Sequence, residues 1–188
     1  MAWYDGKREL SHEKTLENPM HETREDFQHL QALLDRSIEQ AGTFLRQSFQ
    51  MPAHCLSARQ VVHFWQSVQT IALATVTSKG EPRVAPIGAW LFRGRFYIPT
   101  VATAVRSKHV MHHPAISFTY YQGNDLAIIV HGDALIIQPD HPDFIAVETL
   151  QLERSGHSVR EWGEGLFLQI TPKTLYTFAR SPDQYPED

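Results

Sequence analysis

The chain has 188 residues, 42% of them hydrophobic and 11% aromatic, enough to bury the core of one domain of ordinary size with an appendage. A net charge of −4 argues against a general nucleic-acid binder, which presents a basic face. No run of about 18 apolar residues is present to span a membrane, and the first ten residues lack the basic-then-apolar order of a secretory signal. Cys55 is the single cysteine, so no intrachain disulfide can form and a reducing cytoplasm is the expected compartment.

The first 20 or so residues are polar, broken by Pro19, and read as an extended arm. From 21 to 49 the apolar positions Phe27, Leu30, Leu34, Ile38, Ala41 and Leu45 recur at steps of three and four, which predicts one long amphipathic helix ending before Pro52. A stripe of that length must be buried somewhere, and packing at or near a dimer interface is the expectation. Ser57 and Gln60 form a capping box for a short helix whose apolar side is Val61, Val62, Phe64 and Trp65.

At Ile71 the texture turns β-branched. Strands are predicted over 71–77, 84–92 and 96–99, joined by a turn around Gly80 and a tight loop at Arg93-Gly94-Arg95. Pro86 has no N–H for a ladder, which places it at an edge or a bulge. Thr103 can cap a helix running to about His113 before Pro114. Two more strands follow over 115–121 and 126–138, then a helix over 140–154 and a last strand over 165–179. Six strands in hairpins with an inserted helix predict a mainly β, α+β protein built on an antiparallel barrel or strongly curled sheet.

The stretch from Thr100 to Lys108 carries the chemistry. Hydroxyls of Thr100, Thr103 and Ser107 gather with the cations Arg106 and Lys108 where a strand passes into a helix. Helix N-termini offer free N–H groups and a positive dipole end, both suited to phosphate. Arg106 adds a planar fork, Lys108 a mobile charge, and Arg83 enters from the second strand near Pro86. The bland alternative is a solvated basic helix face with Thr103 as its cap.

Taken in order, Leu73-Ala-Thr-Val, Gly80-Glu-Pro82-Arg83-Val84, Phe96-Tyr-Ile-Pro-Thr100, Arg106, His113-Pro114 and Gly132 resemble the FMN-binding split barrels related to pyridoxamine 5′-phosphate oxidase. The resemblance covers about residues 57–179 and implies a six-stranded split β-barrel over 57–188, with 1–56 as an N-terminal arm and helix. It implies a homodimer with flavin across the interface, acting as an oxidoreductase on a small organic substrate. Arg83, Val84, Ala85 and Pro86 match the strand along the flavin's phosphate and ring edge. Thr100 and Thr103 match positions near the phosphate tail, and Arg106 and Lys108 match its basic ligands. Two departures argue against vitamin B6 as substrate: Gly88 stands where those oxidases carry a substrate-contacting lysine, and their C-terminal basic segment is missing. A neighbouring branch binds the deazaflavin F420, with a different order of basic residues; FMN is therefore the first expectation and F420 the second.

Other candidates are weaker. His109, His112 and His113 could share a helix face, as metal or haem ligands or, more simply, as a partly exposed face. Trp90, Tyr120, Tyr121 or Trp162 could wall a flat ring, with Tyr120 or water as a proton source, although most aromatics in such a barrel are core. A non-enzymatic flavin- or haem-binding module is the rival to an enzyme. No nucleophile–base constellation is present, and no metal site is expected.

Overall fold

The structure, a computed structural model, describes residues 21–187. The polar arm predicted for the first 20 residues lies outside that range. Six antiparallel strands close a barrel in the order β1-β2-β3-β6-β5-β4. They are β1 (Gln69–Val76), β2 (Pro82–Phe92), β3 (Arg95–Val101), β4 (Ala115–Gln122), β5 (Leu126–Ile137) and β6 (Gly165–Ala179). All six follow the predicted positions to within a few residues. Alternate residues of β5 point inward, the pattern of a strand with one face on a core.

The seams between strands are unequal. β5 pairs with β6 along its whole length, whereas β2 meets β3 only through Trp90, Leu91 and Phe92. After Tyr97, β3 is paired with β6 alone. The first part of β2, from Pro82 to Ala89, is bonded to β1 and has no strand partner on its other edge among the described residues. Pro86 sits in that free half, opposite Ala72, where its missing N–H breaks no second ladder. The bulge expected there is absent; the irregularity falls instead between His131 and Gly132 of β5.

Two cores flank the sheet. The barrel interior holds Trp65, Phe96 and Phe118 in edge-to-face contacts, with ring centres 5.1 Å (Trp65–Phe96) and 4.9 Å (Phe96–Phe118) apart. A smaller core collects Trp90, Tyr97 and Phe167 beneath helix α5 (Phe144–Ser155), which supplies Phe144, Val147 and Leu150.

The predicted long helix is two helices. Helix α1 (Arg24–Gln40) starts at a capping box made by Thr23 and Asp26, and α2 (Thr43–Ser48) starts at Gly42. The chain turns extended at Ala41, and Arg46 of α2 donates to the carbonyls of Glu39 and Ala41, occupying acceptors that a continuous helix would have used. The three-and-four periodicity ran through the break because Ala41 and Leu45 stay on the apolar side. The stripe is also covered within its own chain rather than waiting for a partner. Leu30, Leu33 and Leu34 join the barrel core, and Ser37 accepts from the Leu175 N–H of β6. Helix α3 (Ala58–Phe64) has the predicted capping box, with Ser57 accepting from Gln60 N–H.

Because α1 closes the barrel end, Leu34→Ala should behave as a core truncation, lowering unfolding free energy by about 2–5 kcal/mol in urea denaturation. A change below about 0.5 kcal/mol would mean that the helix is a detachable appendage.

Candidate cofactor site

Helix α4 (Val105–His112) begins where β3 ends. Its N-cap is Ala104, with no side-chain hydrogen bond, so the cap expected from Thr103 is not made; Thr103 is exposed on the turn before it. The helix start is held another way. Ser107 Oγ–H donates to the Val101 carbonyl at 2.9 Å, tying the first turn back to β3. With no side-chain cap, the first-turn N–H groups of Val105 and Arg106 have no intrahelical acceptor.

Arg106 is half-buried and donates to Thr100 Oγ1 at 3.1 Å. Burial pulls its guanidinium below the ordinary arginine value. Among the described residues no carboxylate pairs with it. A half-buried cation beside an uncapped helix start offers an anion two kinds of positive partner.

Two hollows meet at this guanidinium. The smaller, about 350 Å³, lies between the start of α4 and the free half of β2, and is lined by Arg83, Val84, Ala85, Val105 and Arg106 over Leu73. The larger, about 770 Å³, occupies the gap between β2 and β3, with Ile87 and Gly88 on one side and Pro99, Thr100 and Val101 on the other. Its outer wall comes from α5 and the turn after it, through Gln151, Arg154, His157 and Trp162. A third groove of about 790 Å³, between α1 and the β2–β3 hairpin, is lined by charges of both signs, including Asp26, Asp143, Arg36 and Arg95.

Of the residues singled out from the sequence, Arg83, Val84, Ala85, Thr100 and Arg106 line one or both of the first two hollows. Pro86, Thr103 and Lys108 line neither. Arg83 is exposed and engaged with Glu81 at 2.7 Å, a pair worth little in water and easily exchanged for another anion.

The aromatic and histidine expectations need correction. Trp90 is fully buried and donates its indole N–H to Gln151 in the smaller core. Tyr120 packs on Phe64 at 4.9 Å, away from both hollows, so it is no proton source for them. Tyr121 is exposed at the far end of β4. Trp162 alone of the four lines the gap between β2 and β3, 48% exposed. His109 is not on an exposed face: it is buried, and its Nδ1 shares a 2.8 Å hydrogen bond with Thr75 Oγ1 beneath the smaller hollow. His112 and His113 are exposed. Among the described residues no group of three His, Cys, Asp or Glu side chains converges as metal ligands would.

Sequence reasoning missed Arg154 and the Thr75–His109 pair. Helix α5 gave a legible amphipathic pattern, but nothing in it says that Arg154 faces a gap between strands formed some 60 residues earlier. The spacing of Thr75 and His109 follows no local period either; the barrel brings them together.

Residues 57–178 match the family described as pyridoxamine 5′-phosphate oxidase. The chain belongs to that family. Solved structures share the fold at low identity. A conserved hypothetical protein from Mycobacterium tuberculosis aligns with a TM-score of 0.59 and 16% identity, covering 72% of this chain and 92% of its own. HutZ from Vibrio cholerae, described as a haem storage protein, aligns at 0.54 and 17%, covering 64% and 92%. General Stress Protein 26 from Bacillus anthracis aligns at 0.51 and 18%, covering 63% and 91%. No curated protein sequence matches the chain. At these identities the structural likeness establishes the split barrel and leaves function to the site.

Thr75→Val should leave the His109 Nδ1 without its partner and cost about 1–3 kcal/mol of stability, measured by thermal or urea unfolding. Equal stability would mean that the buried pair contributes nothing to holding α4 on β1.

Proposed function

We propose that this protein is an FMN-dependent oxidoreductase acting on a small organic substrate, working as a homodimer. The observation that carries the reading is Arg106: a half-buried guanidinium with no acidic partner among the described residues, at an uncapped helix start, where two hollows meet. Burying such a charge is costly unless a compensating anion arrives, and a cofactor phosphate is that anion.

The residues fit the group. Arg106, the Thr100 hydroxyl and the first N–H groups of α4 would hold the phosphate. The free edge of β2, from Arg83 to Gly88, offers backbone groups that no neighbouring strand uses, suited to the polar rim of a flat ring. Trp162 adds a flat wall to the same gap. Bound there, the flavin supplies the hydride or electron transfer, and the protein supplies binding, orientation and electrostatics. With Tyr120 packed against Phe64 outside both hollows, water is the proton source left to the site.

What supports a dimer is the rim of the smaller hollow. Val84 is 68% exposed and Val105 is 65% exposed, an apolar pair flanking a site whose outer side this chain leaves open. A second chain closing over them would desolvate the phosphate site further. Pyridoxamine phosphate is not the substrate proposed. Gly88 lines the gap where the family's vitamin B6 oxidases carry lysine, and a Cβ there already meets Val68 at 3.0 Å.

Purified protein titrated with FMN in a calorimeter should bind it, and Arg106→Ala should weaken binding by about 1.5–3 kcal/mol, the scale of a charged hydrogen bond. Lys108→Ala, outside both hollows, should change it by less than about 0.5 kcal/mol. Equal affinity in wild type and Arg106→Ala would remove the phosphate assignment. Mass spectrometry of the small molecule released by heat separates FMN from F420 and haem.

A further inference from the structure

The gap between β2 and β3 holds more positive charge than one phosphate requires. Arg106 stands at one end and Arg154 at the other, with no aspartate or glutamate among the described lining residues. The chain as a whole carries a net charge of −4, so this concentration of cations is local. A cleft lined by one sign of charge, with low-dielectric walls, raises the concentration of the opposite charge inside it.

Arg154 is the informative residue. Its Nη1 donates to the carbonyls of Trp65 at 3.2 Å and Leu91 at 3.1 Å, and its guanidinium lies 5.6 Å from the centre of the Trp90 ring. These contacts fix the plane of the group. Nε is sealed in the protein without a partner, and Nη2 makes no hydrogen bond among the described residues. Glu22 and Glu153 act on Arg154 through space, neither carboxylate being within ion-pair distance. A guanidinium fixed in plane, with Nη2 uncommitted at the wall of a largely apolar cleft, suits the carboxylate of an organic molecule, because charge-assisted N–H bonds to carboxylates are among the stronger ones.

Its neighbours are already committed. Gln151 accepts from the Trp90 indole and donates to Ser155, and His157 Nδ1 faces Glu161 at 3.3 Å. We propose that this cleft takes a carboxylate-bearing organic substrate, its carboxylate accepting from Nη2 of Arg154, while Arg106 serves the cofactor's phosphate. The inference rests on the flavin reading of the same cleft and adds the class of the second molecule in it.

Benzoate is the probe, with benzamide as its uncharged counterpart, titrated by calorimetry into the full-length protein with and without FMN. Benzoate should bind at least on the order of tenfold more tightly than benzamide, and Arg154→Gln should remove that preference. Arg154→Lys keeps the charge and loses the fork, and should also weaken benzoate; it decides the matter if circular dichroism shows Arg154→Gln to be unfolded. Equal affinity for benzoate and benzamide, or wild-type benzoate affinity in the folded variants, overturns the carboxylate site. Protein that takes FMN through Arg106 but gives no benzoate heat also overturns it, with the flavin reading intact. Protein that takes benzoate through Arg154 but no FMN supports the carboxylate site and overturns the flavin reading instead.

Discussion

β3 is bonded to β6 from Phe96 to Val101 but to β2 only through Arg95, Phe96 and Tyr97. Beyond the hairpin at Trp90–Phe92 the two strands part, and the edge of β3 that faced β2 is left unbonded from Ile98 to Val101 among the described strands. A gap therefore opens between the free half of β2 and the end of β3. Both hollows around Arg106, the unbonded edge at Pro82–Ala89 and the entry of α4 into the barrel depend on that divergence. A fully laddered barrel of the same strands would have no room for a flat ligand and no unbonded edge to meet one.

An unpaired edge and a gap in a sheet are liabilities, and the helices limit them. Helix α5 covers the outer face of the β2–β3 hairpin with Phe144, Val147 and Leu150, then delivers Arg154 to the gap. Helix α1 closes the other side of the barrel, where Ser37 satisfies a β6 N–H that the ladder leaves over near Thr174. Both helices place hydrophobic area against the sheet and leave the gap between β2 and β3 open. That gap is lined by Arg106, Arg154, hydroxyls and apolar side chains, with no acid among its described lining residues.

The charges there are held in different ways. Arg106 is tied by one hydroxyl and makes no other side-chain bond among the described residues. Arg154 is braced by two backbone carbonyls and an indole face, which suits a group that must not move. Burial pulls both guanidiniums below their ordinary values, but arginine stays charged in proteins, so both remain demands for negative charge.

The six strands, the α3 capping box and the Arg93-Gly94 turn were legible because their signals are local: period-two burial, a side chain reaching three residues ahead, and positive φ at Arg93 and Gly94. Thr100 and Arg106 were legible for the same reason, six positions apart across one strand-to-helix turn. The break at Gly42 was not, since apolar spacing survives a turn that keeps the same side facing the core. The cap at Ala104 was not either, because Thr103 is the better capping residue and the Ser107 bond to β3 overrides it. What only the tertiary structure decided is what crosses the barrel: His109 against Thr75, Tyr120 against Phe64, and Arg154 facing the β2–β3 gap. Side chains that meet through closure of a sheet share no period and no spacing, so a one-dimensional pattern contains the parts of this site but not their assembly.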